Sequence, residues 1–182
     1  MKVIKAVLPP KSILQNANFD YVDSFQGEYF DIKNEVSSKH IGKAFFTSAP
    51  KWTAQLFELR NKIVFVFGLK TPGKNIDRKE LLDNFNCEPG EKIGLFTVYN
   101  INENEVILGE DDKHLDFRIS IYKETKPYDE GKKYLTLSTT VQFNNWFGKL
   151  YFLPVKPFHK LIVPRMLKGI INQIEKERNT NR

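Results

Sequence analysis

The chain is poor in the residues that build redox, metal and nucleotide sites. Cys87 is its only cysteine, and its histidines are three, His40, His114 and His159. One thiol excludes an intramolecular disulfide, and a reducing cytoplasm is the expected location. The four residues are too scattered for metal-ligand spacing. No two glycines sit two apart, so the Gly-x-Gly turn of a dinucleotide-binding fold is missing, and there is no P-loop and no Gly-x-Ser-x-Gly elbow. No cofactor and no metal are therefore expected, and no DNA-binding motif is present. The longest unbroken apolar run, Ile63–Phe67, is far too short to span a bilayer. Met1–Leu8 alternates Lys with small apolar residues and lacks the length and cleavage pattern of a signal peptide.

What is present points to a packed interior. With 182 residues, one domain is expected, its core at about 18–177 and a basic tail at 178–182. A hydrophobic fraction of 41% excludes a disordered chain, and an aromatic fraction of 13% makes the interior bulky. The net charge of +6 is not spread evenly. Residues 145–182 hold eight Lys/Arg against Glu175 and Glu177, which leaves twenty of each sign in residues 1–144. The C-terminal segment is thus either a solvated helix face or a surface that meets anions.

Phe19, Tyr21, Phe25 and Tyr29 fall on odd positions with Asp20, Ser24 and Glu28 between them, a period of two that predicts a strand. Ser37 or Ser38 can cap a short helix through Ile41, Phe45 and Phe46. Ser48 can cap a second helix, with Trp52, Leu56, Leu59, Ile63 and Phe67 on one face and a stop at Gly68. Asp77 and Glu80 form a capping-box-like pair for a short helix to about Phe85. Four strands are predicted next, Lys92–Ile101, Glu105–Glu110, Lys113–Lys123 and Lys132–Phe143, with tight connections at Asn102–Asn104 and Asp111-Asp112 that pair neighbours as hairpins. Leu115, Phe117, Ile119 and Ile121 share one face, and Leu135, Leu137, Val141 and Phe143 do the same on the next strand. One buried face and one polar face are expected. After Phe143 the period turns helical: Val163, Leu167, Ile170, Ile171 and Ile174 line up, while Arg165, Lys168, Asn172 and Lys176 face away. Pro154, Pro157 and Pro164 each remove a helical donor, so a break near Pro154–Pro157 and a kink or restart at Pro164 are expected.

The densest polar cluster is Glu110–His114 with Asp116 and Arg118. It lacks the regular oxygen spacing and glycine turn of a calcium loop and reads as a solvated turn. His114, Asp116 and Arg118 alternate along one strand face at steps of about 7 Å. They read as structural ion pairs before they read as a catalytic trio. Arg60, at a helix end, suits a carbonyl or carboxylate, or a ligand anion. His159 follows a Pro-Phe pair as a packing or capping residue. Trp146, Phe147, Tyr151, Phe152 and Phe158 are a dense aromatic set that packs the last helix on the sheet and can line an apolar pocket.

Four blocks together resemble a known family: Ser48-Ala-Pro-Lys-Trp52 with Arg60-Asn-Lys62 and Gly68-Leu69; Gly109 to Arg118; Thr140-Val-Gln-Phe143; and Gly148-Lys-Leu-Tyr-Phe152 with Val155 to Leu167. They resemble a bacterial family catalogued as a domain of unknown function, whose members occur alone or fused behind short-chain-dehydrogenase-like NAD-binding domains. That family looks like part of the START-like, helix-grip superfamily, which includes lipid carriers, hormone binders and polyketide cyclases. The resemblance implies an α+β fold, with a curved antiparallel sheet of about five to seven strands, two short N-terminal helices and a long C-terminal helix across the sheet. It carries over no catalytic residues, and it implies that any redox role would need a separate NAD-binding partner protein.

Three functions follow as expectations. The first is a cytoplasmic binder of an apolar or amphipathic small molecule between sheet and last helix, with Trp52, Arg60, Arg118, Trp146, Tyr151, Phe158 and His159 as ligand-binding residues. The second is an enzyme of the cyclase or isomerase kind, drawing on Arg60, His114, Asp116, Arg118, Tyr122 and His159. The third is attachment to an anionic surface through the basic C-terminal segment.

Overall fold

The structure, a computed structural model, describes residues 2–48, 82–125 and 131–180. Along these the order is β1 (Val3–Ala6), one 3-10 turn (Ile13–Asn16), β2 (Tyr21–Phe30), α1 (Ser38–Thr47), β3 (Lys92–Ile93), β4 (Phe96–Ile101), β5 (Glu105–Asp111), β6 (Leu115–Glu124), β7 (Lys132–Phe143) and α2 (Trp146–Thr180). The helix expected from Ser48 to Gly68, the Asp77–Glu80 pair, and with them Trp52 and Arg60, lie outside the described residues. Residues 82–84 are helical, in line with a short helix reaching about Phe85.

The strands form one curved antiparallel sheet of seven, in the order β1-β2-β7-β6-β5-β4-β3. This α+β layout, a sheet with a long C-terminal helix laid across it, agrees with the expected helix-grip arrangement. Two local signals set its hairpins. The Asn102 side chain accepts from the backbone N–H groups of Asn104 and Glu105, each at 2.8 Å, closing the β4–β5 turn. Asp112 and Asp116 do the same for the β5–β6 turn, where the Asp112 N–H donates to Asp116 Oδ1 at 3.1 Å. β1 lies in the Lys–apolar alternation of the first residues, where the sequence predicts no strand.

The inner face of the sheet is the core. Ser37 caps α1, its hydroxyl accepting from the His40 N–H, and Ile41, Phe45 and Phe46 turn inward as the periodicity predicts. Rings of Phe45, Phe46, Phe85, Phe96 and Phe117 meet edge to face at 5.1–5.9 Å. α2 lies against β1, β2, β7 and α1. Its residues Leu167, Ile170, Ile171 and Ile174 are fully buried, each contributing roughly 1.5–3 kcal/mol. Gly27 permits the close crossing, since a Cβ there would lie 2.7 Å from Ile171 Cδ1.

Two expectations need correction. The outer face of the sheet is polar, but its middle is not solvated: Ser24, Ser120, Thr136, Ser138 and Thr140 are all buried on it, while Val22, Glu28, Phe30 and Gln142 toward its ends are exposed. Ser24, Ser138 and Ser120 stand in one cross-strand row, and Ser24 Oγ donates to Ser138 Oγ at 2.8 Å. The chain between β1 and β2 runs over this face as a strap and ends on Glu105. That carboxylate is fully buried and accepts from Ser12 Oγ at 2.5 Å, from the Ile13 N–H at 2.8 Å and from Ser120 Oγ. Hydrogen bonds to all sides are what makes a buried carboxylate tolerable. The second correction concerns α2, which is one helix of 35 residues and runs through Pro154, Pro157 and Pro164 without interruption. Pro154 and Pro157 lie on its exposed side, where solvent can serve the carbonyls of Leu150 and Leu153 that lose their helical donors.

Candidate functional site

The start of α2 is fixed to the β5–β6 hairpin by a pair of asparagines. The Asn145 side chain accepts from the Gly148 N–H at 3.0 Å, as an N-cap does, and its amide donates to the Lys113 carbonyl at 2.9 Å. Asn144 Nδ2 donates to the Asp112 carbonyl at 2.7 Å and to Asp116 Oδ1 at 2.9 Å. Gly148 has no side chain because the His114 carbonyl occupies that place. From this anchor Phe152 and His159, two turns apart, descend toward β2.

There they meet Tyr21 and Asp23, neighbours on the inward phase of β2. Asp23 is only 8% exposed. The Tyr21 hydroxyl donates to Asp23 Oδ2 at 2.8 Å, and His159 Nδ1 stands 3.7 Å from the same oxygen. That is within ion-pair range but beyond a hydrogen bond. Asp23 Oδ1 and His159 Nδ1 are both buried and have no hydrogen-bond partner among the described residues. The surroundings are aromatic. Phe152 packs on Tyr21 with ring centres 4.8 Å apart, and lies 6.2 Å from His159 and 5.7 Å from Phe143. Lys156 Nζ sits 5.3 Å over the Tyr21 ring. Thr139, buried, is the cross-strand partner of Asp23. Burial, and then the hydrogen bond and charge of Asp23, push the Tyr21 phenol well above its ordinary range, so it stays protonated and donates.

This arrangement combines an acceptor oxygen and an imidazole nitrogen, both lacking partners, inside an apolar wall. Leaving such a group buried and unpaired costs about 1–3 kcal/mol. A hydroxyl placed between them resolves both, accepting from the imidazole N–H and donating to the carboxylate.

Of the candidate site residues named from the sequence that fall among the described residues, His159 alone is at this cluster, and Phe152 of the aromatic set joins it. Arg118 lies on the outer face, 3.7 Å over the Tyr99 ring and paired to Asp111 at 2.6 Å. Trp146, at 74% exposure, and Phe158 face outward from α2, while Tyr151 is half-buried in its first turns. His114 meets the Phe147 ring edge to face at the hairpin tip, Asp116 closes the turn, and Tyr122 is buried under the outer face. Of His114, Asp116 and Arg118, Arg118 is in an ion pair, with Asp111, while Asp116 and His114 bond to the amides of Asp112, Asn144 and Asn145. Tyr21 and Asp23 were not singled out as site residues. The signal was available: Asp23 is a carboxylate in the odd, apolar phase set by Phe19, Tyr21, Phe25 and Tyr29.

Cys87 is not a second site. It is buried against Gly42, and burial pushes its thiol up to about 11, so it is no thiolate at neutral pH. Among the described residues no group of three or more His, Cys, Asp or Glu is placed to hold a metal ion, and no helix is long and apolar enough to cross a membrane.

No curated protein and no solved structure matches the chain. One family model does, over residues 16–166, a span that includes β2, the whole sheet beyond it and the part of α2 that carries His159; the chain belongs to that family, described as a protein of unknown function (DUF2867).

Proposed function

We propose that the protein binds a small amphipathic molecule between the inner face of the sheet and the first half of α2. A hydroxyl of the ligand meets Asp23 and His159, and its apolar body lies against Tyr21, Phe143 and Phe152. The observation that carries this reading is the pair of buried, unpartnered atoms, Asp23 Oδ1 and His159 Nδ1. Buried polar groups in folded proteins are nearly always paired, so a partner of matching chemistry belongs there. An ordered water satisfies the same two atoms, and the test separates the two. Native mass spectrometry of the protein as purified is expected to show an added organic mass that Asp23→Asn lacks. Thermal-shift measurements against aliphatic and aromatic alcohols should raise the melting temperature of the wild type alone. Absence of any added mass together with no response to the alcohols assigns the place to water.

A second reading shares the site. An imidazole facing a carboxylate beside a protonated phenol is equipped to move a proton, as a cyclase or isomerase requires. Incorporation of deuterium from heavy water into the bound molecule, lost in His159→Gln, is its expected mark. Any redox role would draw on a separate NAD-binding partner protein.

A further inference from the structure

The first half of α2 carries a second feature, which shares only Lys156 with the site. Trp146, Leu150, Leu153, Pro157 and Leu161 recur at steps of four, three, four and four, which keeps them on one helical face. That face is bare: Trp146 is 74% exposed, Leu153 66%, Leu161 56% and Leu150 53%. Exposed Lys149, Lys156 and Lys160 follow one flank of the stripe at steps of seven and four. No acidic residue occurs between Trp146 and Ile174, although the chain has 22 in all.

We propose that this face docks on a membrane surface that carries anionic lipids, with α2 lying in the plane of the interface. An apolar stripe bordered by lysines, with a tryptophan at its end, is the pattern of a helix at the headgroup boundary. Charge complementarity selects the occupant. A second copy of this chain, related by a twofold axis, would bring lysines against lysines. A nucleic acid would leave the leucines without an apolar partner. The prolines set the depth. Pro154, Pro157 and Pro164 leave the carbonyls of Leu150, Leu153 and Lys160 without helical donors. Those groups are served in the hydrated headgroup zone and not in hydrocarbon. The helix therefore lies on the membrane, with the Asp23–His159 cluster on its opposite side.

Vesicle flotation of the full chain tests this, with neutral phosphatidylcholine vesicles and vesicles containing phosphatidylglycerol. Binding is expected to the anionic vesicles only and to weaken about tenfold or more from low to high salt. Lys149→Gln with Lys160→Gln should weaken it by roughly thirtyfold, and the corresponding arginine pair should restore it. Leu150→Gln with Leu153→Gln should abolish it at low salt while the melting temperature holds, because both side chains are exposed. Equal binding to neutral vesicles, or none to either, overturns the proposal. So does a dimer in sedimentation that Leu150→Gln with Leu153→Gln converts to monomer without vesicle binding, or binding to an oligonucleotide in place of vesicles.

Discussion

Within α2 the two halves use apolar side chains in opposite ways. From Val163 to Ile174 the stripe is buried against the sheet and α1, and four of its residues have no exposure at all. From Trp146 to Leu161 the stripe points outward, and only Phe152 and the half-buried residues, His159 among them, turn to the sheet. The far half has apolar partners throughout and serves as the clamp. The near half is held by asparagines at its start and by packing at a few points, and beneath it lies the cluster with unpaired polar atoms. A helix continuous in backbone is thus divided in packing, and both the candidate site and the proposed docking face lie on its less tightly packed side.

The largest effect that would break this division is a truncation in each half. Leu167→Ala should cost about 2–5 kcal/mol, whereas Leu150→Ala should stay within about 0.5 kcal/mol. Urea unfolding of the two variants reads the difference, and comparable losses would show the halves to be packed alike. Next is Gly148→Ala, where the new Cβ meets the His114 carbonyl. The helix gains slightly from alanine, but the clash should leave a net loss of about 1–3 kcal/mol. If Gly148→Ala stabilises instead, the start of α2 is not pinned to the hairpin.

Titration sharpens the comparison on the near side. Tyr21 is held protonated first by burial and then by Asp23, so Asp23→Asn should lower the Tyr21 pKa without restoring it to that of a free tyrosine. Ultraviolet pH titration of each protein against its Tyr21→Phe counterpart isolates that residue. Because the folded pKa is raised, the neutral phenol contributes stability below the unfolded pKa, and that contribution is lost as pH rises through the folded value. Cys87 has the same sign: stability present below about 9.0 should fall as pH climbs toward about 11. The smallest effect belongs to the far half. His40 pairs with Glu177 across α1 and α2, but both side chains are partly exposed, so His40→Ala should change stability by less than about 1 kcal/mol.

The sheet was legible because its signal is local. Alternation through Tyr21, Phe25 and Tyr29, and through Leu115 to Ile121, needs only a period of two to assign strand and face. β1 was missed because four residues of Lys–apolar alternation are too short to stand out. The fate of the outer face was not legible at all. Ser24, Ser120 and Ser138 look like solvent positions until the strap from residue 7 to residue 16 is placed over them, and nothing local says that Ser12 will meet Glu105. The prolines misled for the opposite reason. The local cost of Pro154 and Pro157 is real, but its size depends on whether the freed carbonyls face water, and that is set by the docking of the whole helix. At the candidate site, His159 stands out by residue type alone, whereas Asp23 needs the phase argument, because what distinguishes it is that it faces inward.

The pairing of β2 has a consequence for synthesis. Ser24 and Ser138, which hydrogen-bond across β2 and β7, are 114 positions apart, and Ser12 waits 93 positions for Glu105. A chain emerging from the ribosome therefore carries its second strand with one side unmatched until nearly all of the sheet has been made. Such distant closure makes for slow folding and leaves an adhesive edge on the nascent chain. The yield of intact protein is then set by how well that edge is shielded while translation proceeds.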